Sequence, residues 1–432
     1  AKPNEPQIAG VQAQLDKMRL EYEAFQASLY VVHPELKVQR GQTEMLTLDQ
    51  VTALLPDNRT AILEYVVTED RSYLFVLRKA AVTRKADLTV YTLNVKSSEL
   101  AAMADSFRQR VAERDLAVKR PARQLYDLLI KPAEKQLVGV QKLCIVPDGA
   151  LWNVPFQALH AERGYLLEQY AVFYAPSLSV LREMGRRAEA LTARSRQSVP
   201  SLSPVTLITG SRTARAGLLA MGNPALSGET VTRARFARRD EPLSPLPDAE
   251  KEVNSLGRLY GADNSKVLIG EEAREAVVKA EAGRYEVLHF ATHATLDDRN
   301  PLYSRIILSR TDTDVHEDGL LEAWEIMKLD LNASLTVLSA CETARGRVVA
   351  GEGMIGISWA LFVAGSPAAV VSQWKVDSAR TSELMIEFHR NWLRKRGATK
   401  SEALRHAALK LLRGPYNHPA YWAGFVLIGD DN

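Results

Sequence analysis

The second half of the chain is built on a rhythm that few folds accept. Short apolar runs cover residues 218–224, 287–293, 304–308, 335–341, 368–374 and 424–428. Turn-forming residues stop them, and stretches of helical spacing lie between, at about 246–260, 353–365, 378–395 and 400–413. Runs this short and this continuously apolar suit strands covered on both faces. Alternation with helices then predicts an α/β fold, a largely parallel sheet with helices on both sides. The first half reads similarly: a hairpin at 61–67 and 73–77, strands at 89–93, 142–146 and 171–174, and helices near 97–117, 121–138 and from Ser179. Two α/β units are therefore expected, over 46–184 and 217–432. Residues 185–216 carry Arg among Ser, Thr, Pro and Ala, a composition that suits an exposed linker. Residues 1–45 are read as a helical segment, with Val11, Leu15, Met18, Tyr22 and Phe25 at nearly helical spacing.

Charge and cysteine content narrow the function. Lys and Arg total 55 against 52 acidic residues, so nothing in the balance points to nucleic acid or an anionic membrane. No apolar run approaches the roughly 18–20 residues that span a bilayer. Cys144 and Cys341 are the only cysteines among 432 residues. That usage fits a reducing, cytoplasmic setting. The chain begins Ala-Lys-Pro-Asn, without an initiator Met, and is expected to be a piece of a longer protein or a processed form.

Two reactive side chains stand where chemistry concentrates in open α/β sheets, at the carboxyl ends of strands. His293 closes the run 287–293 and Cys341 closes the run 335–341. A histidine about 50 residues upstream of a cysteine is a thiol-peptidase layout. The polar segments after each residue favour access, which a nucleophilic sulfur and a proton-exchanging imidazole both need. His289 and Cys144, each in mid-strand, take the structural readings instead. Competing motifs fail on context. His289 and His293 have the i, i+4 spacing of zinc-binding helices, but Phe290 stands where those motifs place Glu, and the segment reads as a strand. Gly351, Gly353 and Gly356 match a dinucleotide fingerprint, yet about ten residues separate them from their strand. No metal and no cofactor are expected.

The second half resembles the CHAT domain, a caspase-like peptidase family related to separase and often carried behind tetratricopeptide repeats. The motifs are His289-Phe290-Ala291-Thr292-His293-Ala294, Leu338-Ser339-Ala340-Cys341-Glu342-Thr343, Gly351-Glu352-Gly353, Val370 to Asp377, and His418-Pro419-Ala420-Tyr421-Trp422-Ala423-Gly424-Phe425. In the first half, the segment Val146 to Phe156 is similar to one found in CHAT proteins. The resemblance implies a caspase-like fold in both halves, the first lacking a catalytic pair. It implies a cysteine endopeptidase with a protein or peptide substrate, and a regulatory partner acting through an upstream repeat region. Cys341 would attack, His293 would move the proton, and the amides of Ala294 and Cys341 would hold the oxyanion. Ala294 departs from the Gly that caspases place after their histidine. Asp377 stands where separase-like enzymes place an acid facing a basic P1 side chain. It is equally suited to cap the helix that follows. A latent or non-catalytic scaffold on the same fold remains the competing class.

Overall fold

The structure, a computed structural model, describes residues 46–80, 86–197, 217–226, 228, 230, 243–296, 301–311, 317–339, 352–394 and 397–432. Cys341, with 340–351, lies outside them, as do the 8–35 segment and the strand-like residues 205–208.

The apolar runs form strands close to where their composition places them. The first half contributes β1 (Thr60–Val67), β2 (Ser72–Lys79), β3 (Ala86–Leu93), β4 (Lys142–Val146), a small hairpin of β5 (His160–Ala161) and β6 (Gly164–Tyr165), and β7 (Ala171–Tyr174). The second contributes β8 (Leu218–Pro224), β9 (Ser265–Gly270), β10 (Val287–Ala291), β11 (His293–Thr295), β12 (Arg305–Ile307), β13 (Leu320–Glu322), β14 (Leu335–Leu338), β15 (Ala368–Ser372) and β16 (Phe425–Gly429). Helices of more than ten residues are α1 (Ser97–Ala112), α2 (Lys119–Leu129), α3 (Leu178–Gln197), α4 (Pro247–Tyr260), α5 (Glu352–Ala364), α6 (Ser378–Arg394) and α7 (Lys400–Leu412).

Eleven strands make one sheet, in the order β3-β2-β1-β4-β7-β16-β15-β14-β10-β8-β9. β1, β2 and β3 form an antiparallel meander at one edge. β15, β14, β10, β8 and β9 run parallel to one another, and β16 runs antiparallel to β15. The result is the expected α/β architecture, a large and mostly parallel sheet flanked by helices. Every residue of β10, β14, β15 and β16 is buried, which is what strands covered on both faces require. β11, β12 and β13 form a separate antiparallel sheet of three.

One expectation needs correction. Residues 185–197, read as part of a linker, continue α3 as helix. Arg and Ala are strong helix formers, so their abundance supports a helix as readily as a loop. Val180, Met184 and Leu191 are buried along it. Arg187 donates to the carbonyls of Gly365 and Leu331, at 3.3 and 3.1 Å, which ties α3 to the second half.

The last strand, β16, lies between β15 of the second half and β7 of the first. Two nearly buried ion pairs follow it. Lys142 Nζ is 3.1 Å from Asp431 Oδ2, and Lys400 Nζ is 3.1 Å from Asp430 Oδ2.

Candidate active site

β10, β14 and β15 end on the same edge of the sheet, because they are parallel neighbours. The chain leaving β10 and β15 at that edge carries His293, Ala294 and Asp377. Phe290 of β10 pairs with Leu338 of β14, a register offset of 48 residues. His293 follows two residues after β10 and opens β11, where it pairs with Ile307 of β12. Ala294 is the next residue of β11, opposite Ile306 and buried.

His293 is only 1% exposed, and its Nε2 lies 2.8 Å from the backbone carbonyl oxygen of Ser244. A carbonyl only accepts, so Nε2 is the nitrogen that carries hydrogen. In the neutral ring Nδ1 then holds the lone pair, and it is the nitrogen able to take a proton. Ser244 carries no sequence signal of this role. A contact made through a backbone carbonyl leaves no mark in composition or spacing.

His289 takes the structural role expected of it. Its Nε2 is 2.7 Å from Glu252 Oε1, and its Nδ1 is 3.2 Å from His389 Nε2. His389 Nδ1 is in turn 2.9 Å from the Tyr260 hydroxyl. The chain of four links β10 to α4 and α6. Burial, and then the neighbouring His289, hold His389 well below the usual imidazole range. Cys144 is 1% exposed in β4, and burial pushes its thiol well up. Such a thiol stays protonated and inert.

Asp377 precedes α6. Its Oδ1 accepts the Arg380 amide at 3.1 Å, and its carbonyl accepts the Thr381 amide at 2.8 Å, so it caps the helix. Its Oδ2 lies 3.5 Å from Arg114 Nη2. Arg114 comes from the turn after α1, in the first half of the chain. Nothing in its sequence context marks it as a site residue.

The motif segments of the two halves meet at this edge. Gln373 donates to the Trp152 carbonyl at 3.2 Å, and Gln157 donates to the Ala423 carbonyl at 2.6 Å. Trp374 Nε1 reaches the Ala420 carbonyl at 3.4 Å. Gly424 is where it is because a Cβ would come within 2.7 Å of Val376 Cγ1 and 3.3 Å of Trp374 Nε1. β14 ends at Leu338 and α5 begins at Glu352, so the glycine run around α5 does not follow its strand directly, as a dinucleotide fingerprint must.

Away from this edge, Glu275, Glu317 and Glu325 converge closely enough to hold a cation. The cation they hold is Lys279, at 2.8 Å from Glu275 Oε1, 2.7 Å from Glu325 Oε1, and also bonded to Glu317. Burial raises the Glu275 carboxyl to about 7.

The family model of the CHAT domain matches residues 119–430. This chain belongs to the CHAT domain family. Tetratricopeptide repeat protein 28 of Mus musculus is 27% identical over 354 residues, which are 72% of this chain and 13% of that protein. The Homo sapiens protein of the same name is 26% identical over 406 residues, 84% of this chain and 15% of that protein. The CHAT chain thus spans a small part of these relatives' length. Among solved structures, a Saccharomyces cerevisiae separase–securin complex matches with a TM-score of 0.51 and 10% identity, over 88% of this chain and 30% of that one. At that identity the likeness is one of fold.

Proposed function

We propose that the CHAT chain is a cysteine endopeptidase that uses His293 and Cys341 to cut a protein substrate after a basic residue. The observation that carries this reading is the register of β10 on β14. Its offset of 48 equals the separation of His293 from Cys341, so each residue stands three positions past the same paired level. The chains at that level are roughly 5 Å apart, within reach of one imidazole. Because Nε2 donates to the Ser244 carbonyl, Nδ1 is the nitrogen that would take the thiol proton.

In this mechanism the Cys341 thiol gives its proton to His293 Nδ1, and the thiolate attacks the scissile carbonyl. The amides of Ala294 and Cys341 hold the oxyanion, each donor being worth about 3 kcal/mol of barrier. His293 returns the proton to the leaving amine, and water releases the acyl group from sulfur. Asp377 receives the P1 guanidinium or ammonium. Its capping bond leaves Oδ2 for a cation, and an arginine already stands beside that oxygen. Residues 217–432 are the half that carries the pair, and 46–184 the half that lacks it. A regulatory partner acting through an upstream repeat region, and residence in the cytoplasm, belong to the same reading. The relatives' name and greater length support the first, and two cysteines in 432 residues support the second.

The test is the wild-type chain against Cys341→Ala on a diverse peptide library, read by mass spectrometry. New termini after Arg or Lys, present only with wild type, are expected. Identical peptide profiles from the two proteins would end the proposal.

A further inference from the structure

Arg114 has an uncommon backbone for a non-glycine residue, with φ at 61°. Left-handed geometry of this kind costs an L-residue about 1–2 kcal/mol. The turn that imposes it is well fastened. The Arg114 and Asp115 amides donate to the Val111 and Arg110 carbonyls, at 3.1 and 2.9 Å. The Asp115 carboxylate accepts the Ala117 amide at 2.8 Å and is paired with Arg110. The Asp115 carbonyl accepts from His418 Nε2 at 3.0 Å. His418 Nδ1 accepts the Ala420 amide at 3.1 Å, so its Nε2 must be the protonated nitrogen. The first half thus clamps the Arg114 turn onto the terminal motif of the second.

The side chain held there makes two contacts. Its Nη2 is 3.5 Å from Asp377 Oδ2, and its guanidinium carbon sits 4.9 Å from the centre of the Tyr421 ring. Tyr421 is fixed by edge contact with Tyr416, ring centres 5.3 Å apart. The Arg380 guanidinium covers Tyr416 at 4.2 Å and is paired with Glu383. An acid and an aromatic face are the two surfaces that a guanidinium recognises best. The Arg114 side chain is 50% exposed and that of Asp377 33% exposed. A pair this wet and this long holds weakly and can be displaced.

We infer that Asp377 and Tyr421 form a guanidinium-binding site for a substrate arginine, and that Arg114 is the chain's own occupant of it, which the substrate must displace. The inference rests on the reading of Asp377 as the acid for a basic P1 side chain. It adds Tyr421 to that site as the stacking face. It also gives the half without a His–Cys pair a task, which is to present a competitor in cis. The occupied and vacated states differ by one weak ion pair and one cation–ring contact. Their balance therefore sets an apparent affinity and leaves the chemical step alone.

The variant of choice is Arg114→Gly, because glycine accepts the positive φ without strain. Two readouts are taken. With arginine-P1 peptides, the Michaelis constant is expected to fall by up to about fivefold with kcat kept, the ratio that about 1 kcal/mol corresponds to. With N-acetyl-argininamide, titrated calorimetrically into protein carrying Cys341→Ala, affinity is expected to rise by the same factor. Asp377→Asn and Tyr421→Ala are expected to lose that binding. If peptides are cut after arginine but Arg114→Gly moves neither constant, the occupant role is overturned and the peptidase reading stands. If no peptide is cut by any variant but argininamide binding tightens and depends on Asp377 and Tyr421, the guanidinium site stands and the peptidase reading falls. Argininamide binding that ignores Asp377 and Tyr421 overturns the site itself.

Discussion

At the scale of single residues, the site turns on which nitrogen of His293 carries the hydrogen. The Ser244 carbonyl makes Nε2 the protonated one, so imidazole nitrogen NMR of the neutral ring should report the Nε2–H tautomer for His293. An Nδ1–H tautomer would contradict the proton path proposed here. On a cleaved peptide, His293→Ala is expected to lower kcat/KM by about 10²–10⁴-fold, the range of a positioned acid–base group. Gly424 supports a third prediction. Its substitution by Ala drives a methyl into Val376 and Trp374, in the segment that leads to Asp377. Urea denaturation of Gly424→Ala should show a loss of about 1–3 kcal/mol, the usual cost of overpacking. Cys144 and His289 were legible as structural residues because apolar residues flank each on both sides, whereas His293, expected to close the run 287–293, opens the separate strand β11. Ser244 and Arg114 were not legible. One acts through its backbone, and the other is a surface-type residue aimed by a distant turn.

At the scale of elements, β1, β2, β10, β14, β15 and β16 were legible because they are apolar over most of their length. β9 and β13 were missed. β9 is only half-buried, and β13 is three residues long, so neither carries an apolar run that stands out. α3 was cut short because its arginines looked like a linker. The contacts of Arg187 with Leu331 and Gly365 show where one of them goes. The clearest element-level consequence of burial is the Glu252, His289, His389, Tyr260 chain between β10, α4 and α6. His389 is held below its ordinary value, so the folded state keeps it neutral while the unfolded chain protonates near pH 6.5. Its contribution to stability is present above that pH and is lost as pH falls below it. Thermal unfolding followed from pH 7.5 to 5 should therefore show a falling melting temperature, with a shallower fall in His389→Phe. Glu275 works the other way. Its carboxyl is raised to about 7, so ionising it between about 4.5 and 7 opposes folding. Glu275→Gln removes this opposing effect, so the fall in melting temperature from pH 7.5 to 5 should be steeper than in the wild type. An unchanged slope would mean that Lys279 offsets the burial of the carboxylate in full.

At the scale of the whole molecule, the α/β class was legible in two runs of alternating elements. Their union into one sheet was not, because strand pairing between distant segments leaves no local pattern. The final strand β16 sits between the halves, and Lys142 at the start of β4 pairs with Asp431 just after β16. Both side chains are about nine-tenths buried, at 10% and 6% exposed. Attraction between buried charges roughly balances the cost of dehydrating them, so the pair adds little net stability while both partners are present. Removing one partner is different, because the other stays buried and uncompensated. Asp431→Ala should cost about 3–5 kcal/mol in chemical denaturation, and the double substitution Lys142→Met with Asp431→Leu should recover much of that loss. Because the pair spans both halves, the loss should appear in one shared transition, with amides of β4 and β15 exchanging hydrogen at a common opening energy. A β15 that stays protected while β4 opens would show that the halves unfold separately. In that case Arg114 and Asp377, which face each other across the same junction, would meet only while both halves are folded.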